Sequence, residues 1–270
     1  MEAKRSLGQN FLKSDSALER IADCVDIEKN ENVVEIGPGH GELTSKLLER
    51  GASVVAVEID RDLTVGLRER FADEIESNRL KIVEADVREI SVADILKGGE
   101  RNDYKLVGNI PYYITGFIIR NFLSERPRPK KIVFLLQREV AQRVALSKKE
   151  SLLSLSVKAY GEPKYCGVVK AGSFSPVPKV DSAILLIDSI TDGFESAEDE
   201  KLFFHILKLG FSQKRKTVIG NLSNYFEREI LESLFEEIEI DRKARAEDLS
   251  IKTWKYLATL VKDRCKRYRY

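Results

Sequence analysis

Only two histidines, His40 and His205, occur in 270 residues, so a histidine-built zinc site or a Ser-His-Asp triad has almost nothing to be assembled from. Cysteine is nearly as scarce. Cys24, Cys166 and Cys265 form neither a C-x-x-C nor an even framework, and reduced thiols are expected. No apolar run approaches the roughly 18 residues of a membrane-crossing helix, and the opening MEAKRSLGQNFLK lacks the apolar core of a signal peptide. A cytoplasmic protein with no membrane partner is the expectation. Net charge is almost absent at +1, so the chain as a whole announces no nucleic-acid role. Positive charge is local instead, at 126–131 (RPRPKK), 214–216 (KRK) and 262–269 (KDRCKRYR). Each run alone reads as solvated surface; several on one face would suit nucleic acid.

What is present is an ordinary globular composition, 43% hydrophobic and 33% charged, in a chain long enough for one larger and one smaller domain. Ser14 or Asp15 can cap a helix that runs to about Val25. Apolar runs at 53–59, 80–85, 104–107 and 131–136 read as strands, with helical periods at 42–50, 63–71, 92–96, 114–123 and 138–145 between and around them. Residues 155–160, 168–169 and 183–187 are expected to complete the sheet. Such alternation predicts an α/β fold with a parallel, doubly wound sheet and an antiparallel strand added late. Residues 189–200 read as a linker. Helix-period segments follow at 201–211, 216–226, 228–236 and 252–261, so the expected division is a sheet domain over 1–190 and a small all-α domain over 191–270.

The most informative stretch is VVEIGPGHGELT at 33–44, a strand, a glycine turn and a helix start. Its glycines let a ligand lie against the main chain, and the helix aims free N–H groups at the same spot. The same turn also serves as a plain tight connection. The dinucleotide pattern G-x-G-x-x-G is not met, because Glu42 stands where the third glycine belongs. Glu35, two residues before Gly37, is a carboxylate in a strand that otherwise reads as buried, and a buried carboxylate needs a partner. The amino group of a methionine moiety would serve, directly or through water, whereas a pyrophosphate would be repelled. The E-x-G-x-G arrangement, with Gly37 and Gly39, is similar to the first motif of S-adenosylmethionine-dependent methyltransferases.

In an open parallel sheet ligands bind beyond the carboxyl ends of the strands. Four strands end there in Gly37, Glu58, Asp86 and Asn109. Glu58, about 20 residues past the first glycine, can accept from a ribose diol, and Asp86 from the exocyclic amine of an adenine; Ile59 and Val87 follow them into the same site. Strand-end acids also cap helices. At the fourth tip, Asn109-Ile110-Pro111-Tyr112-Tyr113, the Asn109 side chain and the Ile110 carbonyl, set by Pro111, can converge as two acceptors on an exocyclic amine. Tyr112 offers a face on which a flipped base can stack; a Pro-Tyr turn packed on the core is the alternative. The pattern is similar to the N-[IL]-P-[YF] motif of amino-methyltransferases that act on nucleic-acid bases. Their chemistry rests on positioning rather than on a strong base.

Along nearly its whole length the chain resembles the KsgA-type ribosomal RNA adenine-N6,N6-dimethyltransferases. The resemblance rests on GQNFL at 8–12, VEIGPGHGELT, VEID with Glu58, EADV with Asp86, GNIPYYI with Asn109, FSPVPKVDSA from Phe174, GFSQKRKT with its NL, and RAEDLS. It implies a Rossmann-like methyltransferase sheet, S-adenosylmethionine as cofactor, and no metal. It further implies cofactor contacts from Asn10 and the Leu12 backbone, and a target adenine sandwiched between Tyr112 and Phe174. The implied substrate is a pair of adjacent adenosines in a hairpin near the 3′ end of small-subunit rRNA, within a pre-ribosomal particle, each methylated twice; a monomer is expected. The family usually carries Tyr-Gly-Arg-Leu-Ser where this chain has Leu152-Leu153-Ser154-Leu155-Ser156, so the resemblance does not extend to that segment. Two alternatives stand beside it, an erythromycin-resistance-type enzyme of large-subunit rRNA and a non-catalytic assembly factor on the same fold.

Overall fold

A computed structural model describes residues 9–97, 103–110 and 114–264 of the chain. A two-residue strand, β1 (Phe11–Leu12), is followed by α1 (Asp15–Val25), whose first turn is closed by the Ser14 side chain accepting from the Ala17 N–H. Then β2 (Asn32–Ile36), α2 (Glu42–Glu49), β3 (Ser53–Glu58), α3 (Arg61–Arg70), α4 (Ala72–Glu76), β4 (Leu80–Glu84), α5 (Val92–Leu96), β5 (Lys105–Asn109), α6 (Thr115–Ser124) and β6 (Lys131–Gln137) alternate as expected. After α7 (Arg138–Ala145) the chain forms α8 (Leu152–Lys158), β7 (Glu162–Val169), β8 (Phe174–Ser175) and β9 (Ser182–Asp188).

Seven strands form one sheet in the order β4-β3-β2-β5-β6-β9-β7, all parallel except β9, which runs antiparallel to both neighbours. The order reverses between β2 and β5, so their carboxyl ends form the switch-point crevice. Alternate residues go to opposite faces. Val34, Ile36, Leu106 and Phe134 join α5, α6 and α8 in one buried cluster. Val33, Val107 and Val133 join α1 and α2 in the other. Glu35 shares the face of Val33 by this parity. Gly108 is required by contact: a Cβ there would stand 2.6 Å from the Ile36 carbonyl oxygen of the paired strand.

One expected strand is a helix. Residues 155–160 fall mostly within α8, because Ser151 and Ser154 form a reciprocal capping box and Leu152, Leu153, Leu155 and Val157 then pack at helical spacing. Short apolar runs do not distinguish helix from buried strand by pattern alone. The sheet's last parallel strand is instead the longer β7.

The expected linker at 189–200 is shorter than read. Helix α9 (Ala197–Gly210) starts inside it, with the Ser196 side chain as cap and Glu198, Asp199 and Glu200 in its first turn, where acids favour the helix dipole. Then follow α10 (Val218–Leu222), α11 (Arg228–Glu237) and α12 (Ile251–Arg264). Their apolar residues, Phe203, Leu231 and Trp254 among them, belong to the same cluster as one face of the sheet. The seam is polar as well as apolar. Arg128, only 6% exposed, forks to Asp192 at 2.6 Å and Glu200 at 2.9 Å. Its guanidinium lies 4.7 Å from the centre of the Tyr160 ring.

Candidate active site

At the end of β2 the chain turns through Gly37 and Gly39, both at positive φ (68° and 62°), into the first turn of α2. Gly39 meets a second constraint, for a Cβ on it would stand 3.0 Å from the Phe11 ring. Beside this turn opens a cleft lined by Gly37, Gly39, Glu58, Ile59, Asp86, Val87 and Asn109, together with Asn10 from the amino-terminal segment. These expected residues are therefore brought together. Ile59 is 44% exposed although it is a large aliphatic side chain, and with Val87 and Ile114 it gives the cleft an apolar wall.

The polar groups of the cleft are mostly acceptors. Glu58 is buried, and its carboxylate accepts from the Gly39 N–H at 3.3 Å and the Asp60 N–H at 2.9 Å, so it ties the glycine turn to the start of α3. Burial raises its pKa above the usual carboxylate range, against these backbone bonds. Asp86 accepts from the Arg88 backbone N–H at 2.9 Å and from Arg88 Nε at 3.0 Å, and the guanidinium holds its carboxyl below the usual range. Glu35, 1% exposed, does not line this cleft but a smaller adjoining cavity shared with Phe11, Leu12, Gly37, Gly39 and Asn109. It accepts from Thr44 Oγ1 at 2.6 Å. Burial raises it to about 8, a shift that the Thr44 bond opposes and the nearby Glu58 and Glu42 reinforce.

Asn109 closes the switch point. Its Nδ2 donates to the Asn10 carbonyl oxygen at 2.9 Å. A carbonyl can only accept, so this contact fixes which end of the amide faces the amino-terminal segment and turns Oδ1 the other way. Ile110, the next residue, lines the cleft. Pro111 and Tyr112 lie outside the described residues. Phe174 is only 4% exposed and sits in the buried cluster with Leu12, Leu18 and Ile21, so its ring is not an open stacking face. Its backbone pairs with that of Leu12 through β1 and β8.

Some lining residues carried no signal of their own in the sequence. Gln9, whose Nε2 donates to Asp60 Oδ2 at 3.0 Å, and Phe11, whose ring lies 4.4 Å from that of His40, both belong to GQNFL, a block singled out only for Asn10 and Leu12. Thr44, the partner of Glu35, was visible only as a residue of the helix start.

The family follows from comparison. A model of the ribosomal RNA adenine dimethylases matches residues 1–263. The chain belongs to that family. Relatives include the ribosomal RNA small subunit methyltransferase A of Dehalococcoides mccartyi, 37% identical over 260 residues that make up 95% of this chain and 88% of that protein. The protein of the same name from Clostridium botulinum is 35% identical over 263 residues, 96% of this chain and 94% of the relative. Among solved structures, a dimethyladenosine transferase from Plasmodium falciparum superposes with a TM-score of 0.79 at 25% identity, covering 94% of this chain and 98% of its own. The 23S rRNA methyltransferase ErmE does so with a TM-score of 0.74 at 25% identity, covering 94% and 100%. The sheet with its reversed β9 is thus the Rossmann-like methyltransferase sheet of these adenine dimethylases.

The donor set of the adenine dimethylase cleft can be tested against S-adenosylmethionine. Among the described lining residues Arg88 is the one cation, and it is committed to Asp86. Glu58 and Asp86 face the cleft and Glu35 stands behind it. A pyrophosphate would meet like charge there, whereas a ligand with positive charge, hydroxyls and an amine to donate would not. The residues fit.

Proposed function

We propose that this protein uses S-adenosylmethionine to dimethylate N6 of two adjacent adenosines in a hairpin near the 3′ end of small-subunit rRNA, within a pre-ribosomal particle in the cytoplasm. The orientation of Asn109 carries the reading, since a side-chain oxygen presented at the switch point is the group an exocyclic amine needs. When bound, S-adenosylmethionine supplies an electrophilic methyl group on a sulfonium sulfur. Glu58 would take the ribose hydroxyls, Asp86 the adenine amine, and the Ile59 and Val87 side chains the flat faces of the ring. Glu35 would accept from the ammonium end, and Asn10 and the Leu12 backbone would line the remaining side. On the substrate side, Asn109 Oδ1 and the Ile110 carbonyl accept from the target amine and hold its nitrogen in line for transfer. An acceptor pair of this kind still holds a singly methylated nitrogen, which has one proton left to donate. Tyr112 would stack on the extruded base; Phe174, packed beneath β1, supports that side from the core.

Lys214, Arg215 and Lys216 are exposed in the turn between α9 and α10 and stand in no ion pair among the described residues, so they are suited to backbone phosphates. Binding to the particle should therefore weaken steeply with salt. The deciding experiment offers purified small and large ribosomal subunits with methyl-labelled S-adenosylmethionine. Label should enter the small subunit and appear by mass spectrometry as two dimethyladenosines. Asn109→Ala should lose transfer and keep cofactor binding, and Glu58→Ala should lose cofactor affinity. Label confined to the large subunit would instead assign the activity of the ErmE likeness.

A further inference from the structure

Four consecutive residues of the amino-terminal segment each hold a different element around the cleft. Gln9 Nε2 donates to Asp60 Oδ2, where Asp60 caps α3 through Oδ1 and the Asp62 N–H. The Asn10 carbonyl receives Asn109 Nδ2 from the end of β5. The Phe11 ring covers Gly39 and packs on His40 in the glycine turn. Leu12 pairs with Phe174 of β8, and the pairing is prolonged by the Lys13 N–H donating to the Ser173 carbonyl at 2.8 Å. Since β2 lies between β3 and β5, this strap crosses the carboxyl edge from the β3 side to the β5 side, directly over the glycine turn.

The polar clasps at Gln9 and Asn10 are unequal. The Asn109 clasp uses a backbone carbonyl, which has no freedom of its own and points where the strap puts it. The Gln9 clasp is side chain to side chain and anchors the strap's outer end to the residue that also donates its backbone N–H to Glu58. Releasing the outer end would let the Asn10 carbonyl shift, and Asn109 would lose the contact that fixes its amide. A misorientation of about 1 Å at a reacting centre is enough to cost on the order of 100-fold in rate.

We infer that Gln9 is a positioning residue: by clasping Asp60 it sets the strap so that the Asn10 carbonyl holds the Asn109 amide with its oxygen toward the target amine. The inference rests on the reading of Asn109 as the acceptor of that amine. It makes turnover, rather than cofactor affinity, the quantity that depends on Gln9.

The test exchanges donor and acceptor. Gln9→Glu puts a carboxylate against Asp60, and Asp60→Asn puts an amide against Gln9. In the double variant Asn Nδ2 can donate to the new Glu while Asn Oδ1 still accepts from the Asp62 N–H. Methyl transfer to small subunits, cofactor binding by calorimetry, and hydrogen exchange at the Leu12 and Lys13 amides are measured for wild type, both single variants and the double. The expected result for Gln9→Glu is a fall in kcat of about tenfold or more, cofactor Kd within about threefold of wild type, and faster strap exchange, with the double variant recovering both kcat and protection. Unchanged kcat and exchange in Gln9→Glu would overturn the inference. So would a rise in Kd with kcat intact, which would make Gln9 a direct cofactor ligand, or a folded double variant that recovers nothing. If wild type labels neither subunit, the proposed function fails by itself, and strap exchange still decides whether Gln9 holds the strap.

Discussion

Inside the wall behind the cleft, Glu35 is a carboxyl group shut off from water and faced by Thr44, with Glu58 and Glu42 as the charged neighbours. Its pKa of about 8 in the folded chain lies above the ordinary 4.5. Between those two values the unfolded chain has given up the proton that the folded chain keeps, so stability falls as pH rises through this window. Below about 4.5 both states are protonated and the residue costs nothing; above about 8 the full penalty, on the order of a few kcal/mol, is present. Glu35→Gln removes that titration and keeps a group able to accept from Thr44. Its melting temperature should exceed that of wild type at pH 8.5 and match it at pH 4 when followed by scanning calorimetry. An equal difference at both pH values would mean the carboxyl is not protonated in the fold. The presence of Glu35 was legible as an odd acid in an apolar strand. Its partner was not, because Thr44 is brought to it by the packing of α2 on the sheet, which no local pattern encodes.

At the scale of elements, the chain's own signals were strongest where a strand passes through a turn into a helix. Residues 33–44, Glu58 at the end of β3 and Asp86 just past β4 sit at the edge where their spacing put them, since strand ends in a parallel sheet fall at one edge whatever the sequence between. The failure at 155–160 has a local cause. Val157 and Tyr160 are strand formers by propensity, and the decision lay upstream in Ser151 and Ser154, whose side chains close the first turn of α8 from both directions. Ser154 is itself buried and also donates to Glu150 at 2.7 Å. Ser151→Ala should therefore cost about 1 kcal/mol in urea unfolding. Ser151→Asp, which keeps an acceptor for the Ser154 N–H, should recover most of it. Loss of nothing in the alanine variant would show that α8 is held by its packing alone.

For the molecule as a whole, one part of the seam between sheet and helical segment is gathered around two cations. Arg128 has partners from the linker, α9 and the ring of Tyr160, while Lys255 of α12 donates to the Ala159 and Gly193 carbonyls at 2.9 and 2.8 Å. Removing the guanidinium leaves Glu200 in a poorly hydrated place without its countercharge, a change that typically costs about 3–5 kcal/mol. Arg128→Ala should lower the melting temperature by several degrees, and Arg128→Lys should restore little, because one ammonium cannot fork to two carboxylates. The lone tryptophan, Trp254, is buried in the helical segment and gives that segment its own fluorescence signal. In Arg128→Ala the fluorescence transition should precede the circular dichroism transition of the sheet; coincident transitions would mean that the seam is held by its apolar cluster. This seam was the least legible part of the fold. RPRPKK read as solvated charge, and only the folded chain puts Arg128 under cover.

The pairing of Phe11 with Ser175 joins the first described strand to one far along the chain. A nascent polypeptide that has emerged only through β6 already owns the glycine turn, Glu58, Asp86 and Asn109, and with them the partners of Gln9, Asn10 and Phe11, yet Leu12 still lacks the strand it pairs with. The inner end of the segment is fastened only when the stretch around Phe174 has left the exit tunnel, so the last tie across the cleft's edge is made late in the protein's own synthesis.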